Sequence, residues 1–170
     1  FKEVSTDQAQ FKKKEFNLLN YIETSLEIMA DPLKRKNISV NPEGDEIVFY
    51  GDPGLFYQII ENLISNAQKY AFDEKGGHID IRLKDAQDKI ILLFSDYGKG
   101  IPEEDRTKIF DAFFTTGGGK GGTGLGLNIV YRIVTNQLKG TITCESTEGK
   151  GAKFTIIIPK VASREMMNYE

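Results

Sequence analysis

Apolar residues recur along this chain in two regular spacings, and a third stretch has no spacing at all. The helical spacing appears first. Leu19, Ile22, Leu26, Met29 and Leu33 follow a 3-4-3-4 interval, which places them on one stripe of a helix. Asn20 followed by Glu23 has the form of a capping box, and Asp31-Pro32 should bend or end the helix. A second helix starts at Asp52-Pro53, a capping acid followed by proline at the first helical position. From there to about Ala71, the residues Phe56, Ile59, Ile60, Leu63, Ile64, Ala67 and Ala71 fill one broad apolar face. Asn62, Asn66 and Lys69 fall within about 60° of one another on its border, with Tyr70 between that strip and the apolar face. Glu61 points away from both asparagines. Leu127–Val134 reads as a third amphipathic helix.

The alternating or continuous apolar runs predict strands. His78–Lys84 and Lys89–Asp96, joined by Asp85-Ala-Gln-Asp88, read as a hairpin. Gly140–Thr147 and Ala152–Pro159 form a second hairpin around Glu148-Gly-Lys-Gly151. Ile38–Val40 and Glu46–Tyr50 are short strands around an Asn-Pro-Glu-Gly turn. The order is helix, strands, helix, hairpin, glycine-rich span, helix, hairpin. It predicts a two-layer α/β (α+β) sandwich: a mixed five-stranded sheet covered on one face by about three helices.

The stretch without spacing is Asp96–Leu127. It opens with Asp96-Tyr-Gly-Lys-Gly-Ile-Pro102 and closes with Gly122-Thr-Gly-Leu-Gly-Leu127. Nine of the 17 glycines lie between Gly98 and Gly126. Glycine permits positive φ and close approach of backbone to a ligand. Pro102-Glu-Glu-Asp105 should open a short helix ending near Phe110. Phe110, Phe113 and Phe114 then form an apolar anchor before a tether, the construction of a hinged lid.

Charge and length narrow the function. The 170 residues carry a net charge of −3, which argues against general nucleic-acid binding. Any polyphosphate must therefore be held by local charge and backbone N–H groups. The longest aliphatic or aromatic run, Ile90–Phe94, is far short of a membrane span, and no signal peptide is visible. The single Cys144 excludes an internal disulfide and reads as core in a reducing compartment. Phe1–Asn17 is highly charged, with Phe1, Val4 and Phe11 at heptad-like spacing. It reads as the end of a long helix or a linker, and a start at Phe1 suggests a piece of a longer protein.

The glycine run matches no standard phosphate loop. No Gly-Lys is followed by Ser or Thr, so a P-loop is excluded. The dinucleotide pattern is met at Gly117-Gly119-Gly122 and Gly119-Gly121-Gly124, but no strand leads into it. What remains is a helix beginning directly after Gly122–Gly126, a ready anion site. Amide oxygens of Asn62 and Asn66 suit a hydrated Mg²⁺, and Lys69 supplies a point charge to phosphate. Asp96 is a carboxylate at the end of an apolar strand and must find donors. The exocyclic amine of adenine is one; capping the turn is the simpler alternative.

These stretches, in this order, resemble the catalytic ATP-binding domain of bacterial sensor histidine kinases, of the Bergerat-fold superfamily with gyrase, mismatch-repair and heat-shock ATPases. Glu61–Tyr70 looks like the N box, Asp96–Gly100 the first glycine box, Ile109–Thr115 the F box, Gly122–Leu127 the second glycine box, and Gly149–Thr155 the last glycine-containing strand. The resemblance implies an ATP-binding domain over residues 17–160. It also implies the end of a dimerisation and phosphoacceptor helix at 1–16 and a tail at 161–170. It implies Mg²⁺ on Asn66 with Asn62, Lys69 on phosphate, and Tyr70 near the adenine. Asp96 would accept from the adenine amine, with Gly98 and Gly100 in the same turn. Ile101, Leu127 and Phe154 would be apolar walls, and Thr155 would reach Asp96 or the base through water. Lys120 would be a lid cation, and Gly122, Thr123, Gly124, Leu125 and Gly126 would bring backbone N–H groups to the phosphates.

The resemblance further implies γ-phosphoryl transfer to a histidine on a separate helical domain, a response-regulator partner, a cytoplasmic site of action, and a monomeric fragment of a homodimeric kinase. The one histidine, His78, lacks the acidic neighbour of a phosphoacceptor motif and reads as structural or exposed. Gyrase-like relatives carry a water-activating glutamate one helical turn before the N-box asparagine. Asn62 stands there, against efficient hydrolysis. The alternatives are a degenerate docking module, an anti-sigma-like serine kinase, or an ATP-hydrolysing clamp.

Overall fold

The computed structural model describes residues 13–114 and 126–160, and the first of these form a strand. β1 (Lys14–Asn17) pairs antiparallel with β3 (Val48–Gly51) in a two-stranded sheet of its own. The charged segment expected to be helix or linker is therefore strand from Lys14 onward. Phe16 secures it, packing edge-on against Phe49 and Phe56. α1 (Leu18–Ile28) follows at once. Its cap is Asn17, whose side chain accepts from the Asn20 N–H at 3.0 Å, so the expected Asn20–Glu23 box is not the cap. Leu18, Ile22, Ser25 and Met29 are buried, while Leu19, Leu26 and Leu33 are only partly so. The chain breaks at Met29 and resumes as α2 (Ala30–Arg35), with Asp31-Pro32 in its first turn.

β2 (Ile38–Gly44) runs straight through the Asn-Pro-Glu-Gly segment expected to turn. It lies at the edge of the main sheet, where a proline costs no interior ladder bond. α3 (Pro53–Asn66) has the predicted cap: Asp52 Oδ1 accepts from the Gly54 N–H at 2.9 Å. It continues as one wide turn, Ala67–Ala71. The Phe72 N–H there reaches back to the Ala67 carbonyl at 3.0 Å, the five-residue spacing of a π-turn.

The main sheet has the order β2-β4-β5-β7-β6. β4 (Gly77–Asp85) lies parallel to β2 and antiparallel to β5 (Lys89–Asp96). The short helix expected after Pro102 is a single 3-10 turn, Glu103–Asp105, and hydrogen-bonded turns rather than helix carry the chain on to Phe114. α4 (Gly126–Arg132) ends, like α3, in a wide turn, Ile133–Gln137. β6 (Thr141–Ser146) and β7 (Ala152–Pro159) close the sheet, with β7 between β5 and β6.

Strand alternation turns every second side chain toward the helices. Two rows of that face are apolar across four strands: Leu83–Leu92–Ile156–Ile142 and Ile81–Phe94–Phe154–Cys144. Each large side chain buried there contributes roughly 1.5–3 kcal/mol. The third row is Ile79–Asp96–Ala152–Ser146. Of these three rows it is the one with buried polar side chains, Asp96 and Ser146, and the candidate site is built on it.

Candidate functional site

Asp96 is 4% exposed. Its Oδ1 accepts from two backbone groups, Gly98 N–H at 3.1 Å and Ala152 N–H at 3.2 Å. Among the described residues no group donates to Oδ2 and no cation pairs with the carboxylate. Burial pushes the Asp96 carboxyl above the usual carboxylate range, and the two N–H groups pull it part of the way back. A desolvated, unpaired carboxylate is costly. Its free oxygen is an acceptor waiting for a donor.

The turn after Asp96 is fixed by close backbone approach. A Cβ on Gly98 would stand 2.4 Å from the Ala71 carbonyl oxygen, and the Lys99 N–H donates to that same oxygen at 3.0 Å. Gly100 has φ +78°, and a Cβ there would meet the Thr147 carbonyl at 2.3 Å. Ser146, which sequence reasoning passed over, ties the turn to the last hairpin. Its Oγ accepts from the Ile101 N–H at 2.7 Å and donates to the Gly151 carbonyl at 2.8 Å.

Asn66, Tyr70, Asp96, Gly100, Ile101 and Phe154 come together around one cavity, joined by Ala71 and Ala152. Its volume is about 30 Å³, an order of magnitude below the ~300 Å³ of a small-molecule site. Entry of a base therefore requires the walls to part. The Tyr70 hydroxyl is shut off from solvent and has no hydrogen-bond partner among the described residues. The wide turn Ala67–Ala71 sets its position. Lys69, on the same turn, is exposed and lies outside the cavity wall.

Asn62 and Asn66 lie one α-helical turn apart. The Asn62 Nδ2 donates to the Gln58 carbonyl at 2.8 Å, which leaves Oδ1 facing the start of α4. A Cβ on Gly126 would stand 3.6 Å from it. Leu127 is buried beside that start. The Asn128 Nδ2 donates to the Phe110 carbonyl at 3.0 Å and so ties α4 to the phenylalanine segment. Phe110 packs edge-on against Phe154 at 6.3 Å. Phe113 is 75% exposed at φ +67° and is no part of the anchor.

Thr155 is displaced from its expected role. It sits opposite Leu93 and alternates with Phe154, so it faces the helix-free side, away from Asp96. Lys120, Gly122, Thr123, Gly124 and Leu125 lie outside the described residues, as do residues 1–12 and 161–170. Cys144 faces the core near Asp96; burial, with the Asp96 charge adding to it, pushes its thiol up to about 12. A larger groove of about 470 Å³ lies on the helix-free side between Arg82, Tyr97, Glu145 and Lys153. No buried unpartnered side-chain atom opens into it among the described residues.

This architecture is shared with solved structures. The catalytic domain of histidine kinase ThkA matches with a TM-score of 0.75 at 34% identity, covering 87% of this chain and 95% of that one. The chain belongs to the family described as histidine kinase-, DNA gyrase B- and HSP90-like ATPases, whose model matches residues 51–162. Within it, similar proteins include sensor histidine kinases. ZraS of Salmonella typhimurium is 34% identical over 88% of this chain, and RppB of Synechocystis 34% identical over 72%. The chain spans 32% and 27% of their respective lengths. It is thus an ATP-binding catalytic domain of the sensor-kinase type. No helix among the described residues is long and apolar enough to cross a membrane.

Proposed function

We propose that this domain binds Mg²⁺-ATP and presents the γ-phosphoryl group to a histidine on a separate helical dimerisation domain. The observation that carries the reading is the Asp96 carboxylate. One of its oxygens is held by two backbone N–H groups and the other is left for an adenine amine, beside the orphaned Tyr70 hydroxyl. Phe154 and Ile101 supply apolar walls, while Leu127 is buried at the start of α4 and does not line the cavity. The Asn66 amide at the cavity rim and Asn62 Oδ1 toward α4 are hard oxygen donors of the kind Mg²⁺ accepts alongside water and phosphate. The ion, when bound, neutralises phosphate charge. Lys69 adds a mobile cation, and positioning supplies most of the catalysis in such transfers.

His78 fits the role of acceptor poorly. Both ring nitrogens are engaged, Nε2 with Asp80 and Nδ1 with Ser39. This supports an acceptor outside the residues described here. Asn62 cannot take a proton from water, which supports transfer over hydrolysis. ThkA has been solved in complex with a response regulator, and by the same logic a response regulator is the downstream partner of the whole kinase. The place of action is cytoplasmic, the isolated domain monomeric, and nucleic acid plays no part.

Calorimetric titration with ATP, with and without Mg²⁺ and with GTP as control, tests the reading. Adenine-selective, Mg²⁺-enhanced binding is expected. Absence of binding would overturn it in favour of a docking module. Asn66→Ala should weaken ATP binding by about tenfold in Mg²⁺ and little in chelator; equal losses in both would remove Asn66 from the metal.

A further inference from the structure

A second set of polar groups lies directly behind Asp96, on the helix-free side of the sheet. Ser39 on β2 is the register partner of His78 on β4. The β4–β5 ladder ends at Ile79 and Asp96, so one step further His78 faces Tyr97. These three positions form a cross-strand row. The Tyr97 hydroxyl donates to Asp80 Oδ2 at 2.6 Å, and its ring stacks on the His78 imidazole at 5.9 Å and 14°. Asp80 Oδ1 lies 2.9 Å from His78 Nε2, and His78 Nδ1 lies 2.7 Å from Ser39 Oγ.

A carboxylate only accepts, so Nε2 carries the proton. Nδ1 then accepts from the Ser39 hydroxyl when the ring is neutral and donates to Ser39 Oγ when it is charged. The chain of bonds is satisfied in either state. The Tyr97 bond is the main cause that holds the Asp80 carboxyl below its usual range; burial opposes it and His78 and Arg82 assist. Arg82 is itself paired with Glu43 at 3.3 Å.

We infer that Tyr97, Asp80 and His78 are positioning residues for the Asp96 carboxylate, a strut that acts from the face opposite the nucleotide. Tyr97 sits between Asp96 and Gly98, the residue whose N–H holds Asp96 Oδ1. Further along, the turn is fixed by main-chain bonds, Lys99 N–H to Ala71 at 3.0 Å and Gly149 N–H to the Lys99 carbonyl at 2.6 Å, and by Ser146 Oγ on the Ile101 N–H. Tyr97 supplies a side-chain anchor on the helix-free face, next to the Gly98 peptide. Its ring is 60% exposed, so burial alone does not hold it. With the hydroxyl tied to β4, the peptide that carries the Gly98 N–H keeps its aim, and the free carboxylate oxygen keeps its direction into the cavity. The inference rests on the assignment of Asp96 as the adenine acceptor, but its first test does not involve a nucleotide.

Three variants of the 170-residue chain separate the possibilities. Tyr97→Phe deletes the hydroxyl and keeps the stack. Asp80→Ala deletes the acceptor, and Asp80→Asn restores an oxygen to Tyr97. Amide exchange at Gly98, read by NMR without nucleotide, should accelerate about three- to tenfold in Tyr97→Phe and Asp80→Ala. It should stay near the parent value in Asp80→Asn. The ATP dissociation constant should rise by the same factor in the same two variants. Unchanged Gly98 exchange in Tyr97→Phe, or an Asp80→Asn variant as impaired as Asp80→Ala, would overturn the strut. Faster Gly98 exchange in a chain that binds no ATP would uphold the strut and overturn the nucleotide reading alone.

Discussion

The two faces of β5 end in opposite ways. On the core face Ile90, Leu92 and Phe94 lead to Asp96, a buried acid with no counter-ion among the described residues, whose carboxyl is raised by desolvation. On the other face Ile91, Leu93 and Ser95 lead to Tyr97, an exposed phenol bonded to Asp80, whose carboxyl is lowered by that bond. One strand thus places two carboxylates in two regimes. The buried acid costs the fold stability at neutral pH and the half-buried, hydrogen-bonded acid adds some. The proposed adenine contact would account for a costly acid that the structure leaves half-satisfied. A half-buried acid with its partners in place is explained by the structure itself.

The largest test of this contrast is steric. Phe154→Ala, on the core face beside Phe94 and Phe110, should cost about 3–5 kcal/mol; Leu93→Ala, half-buried on the open face, should cost less than about 2 kcal/mol. Chemical denaturation of both variants checks the order, and equal costs would erase the distinction between faces. Next is Asp96→Asn. The amide oxygen can keep the Gly98 and Ala152 bonds, while a donor replaces the acceptor that faces the cavity. ATP affinity should fall about tenfold or more, with the thermal midpoint at pH 7 unchanged or raised. A lowered midpoint would make Asp96 a structural residue.

The smallest effect is in pH. A raised acid contributes stability that is fully present below the ordinary carboxyl range and lost as pH rises through its folded value. The stability advantage of Asp96→Asn over the parent should therefore shrink on acidification into the carboxyl range. Asp80 has the opposite sign. Its contribution is present above the ordinary carboxyl range and lost as pH falls through its lowered value. The deficit of Asp80→Asn should shrink on acidification as well, from the other side of zero. Thermal midpoints across pH 3 to 7 read both, and parallel curves of the same sign would contradict the two-regime picture.

Much of this was legible in the residues because the signals are local. Asp52-Pro53 marks a cap by chemistry alone, and the alternation in Lys89–Asp96 fixes which end carries the acid. β1 was not legible. Lys14 and Glu15 look like a solvated linker, and the strand exists only because Val48–Gly51, far along the chain, pairs with it. Thr155 was misplaced by parity. The strand was expected, but its facing was settled by the register that sets Ala152 against Asp96 and hence turns Phe154 inward. The wide turn at Ala67–Ala71 leaves no sequence mark, since apolar spacing cannot tell a four-residue turn from a five-residue one over so short a run. Ser146 was overlooked because a serine in an alternating strand looks like surface. Its row on the core face becomes visible only in the folded sheet.

The close approaches at Gly98 and Gly100 have a consequence for how this segment can change over generations. Carbonyl oxygens of two different neighbours occupy the space a side chain would need at 98 and at 100, so those positions cannot drift singly. Tyr97 and Lys99 point elsewhere and have room. Random substitution along the turn should therefore leave a comb, fixed and free positions in alternation. Position 97 is free only in company, because a change there strands the hydrogen-bond partners at 80 and 78 and invites them to change with it.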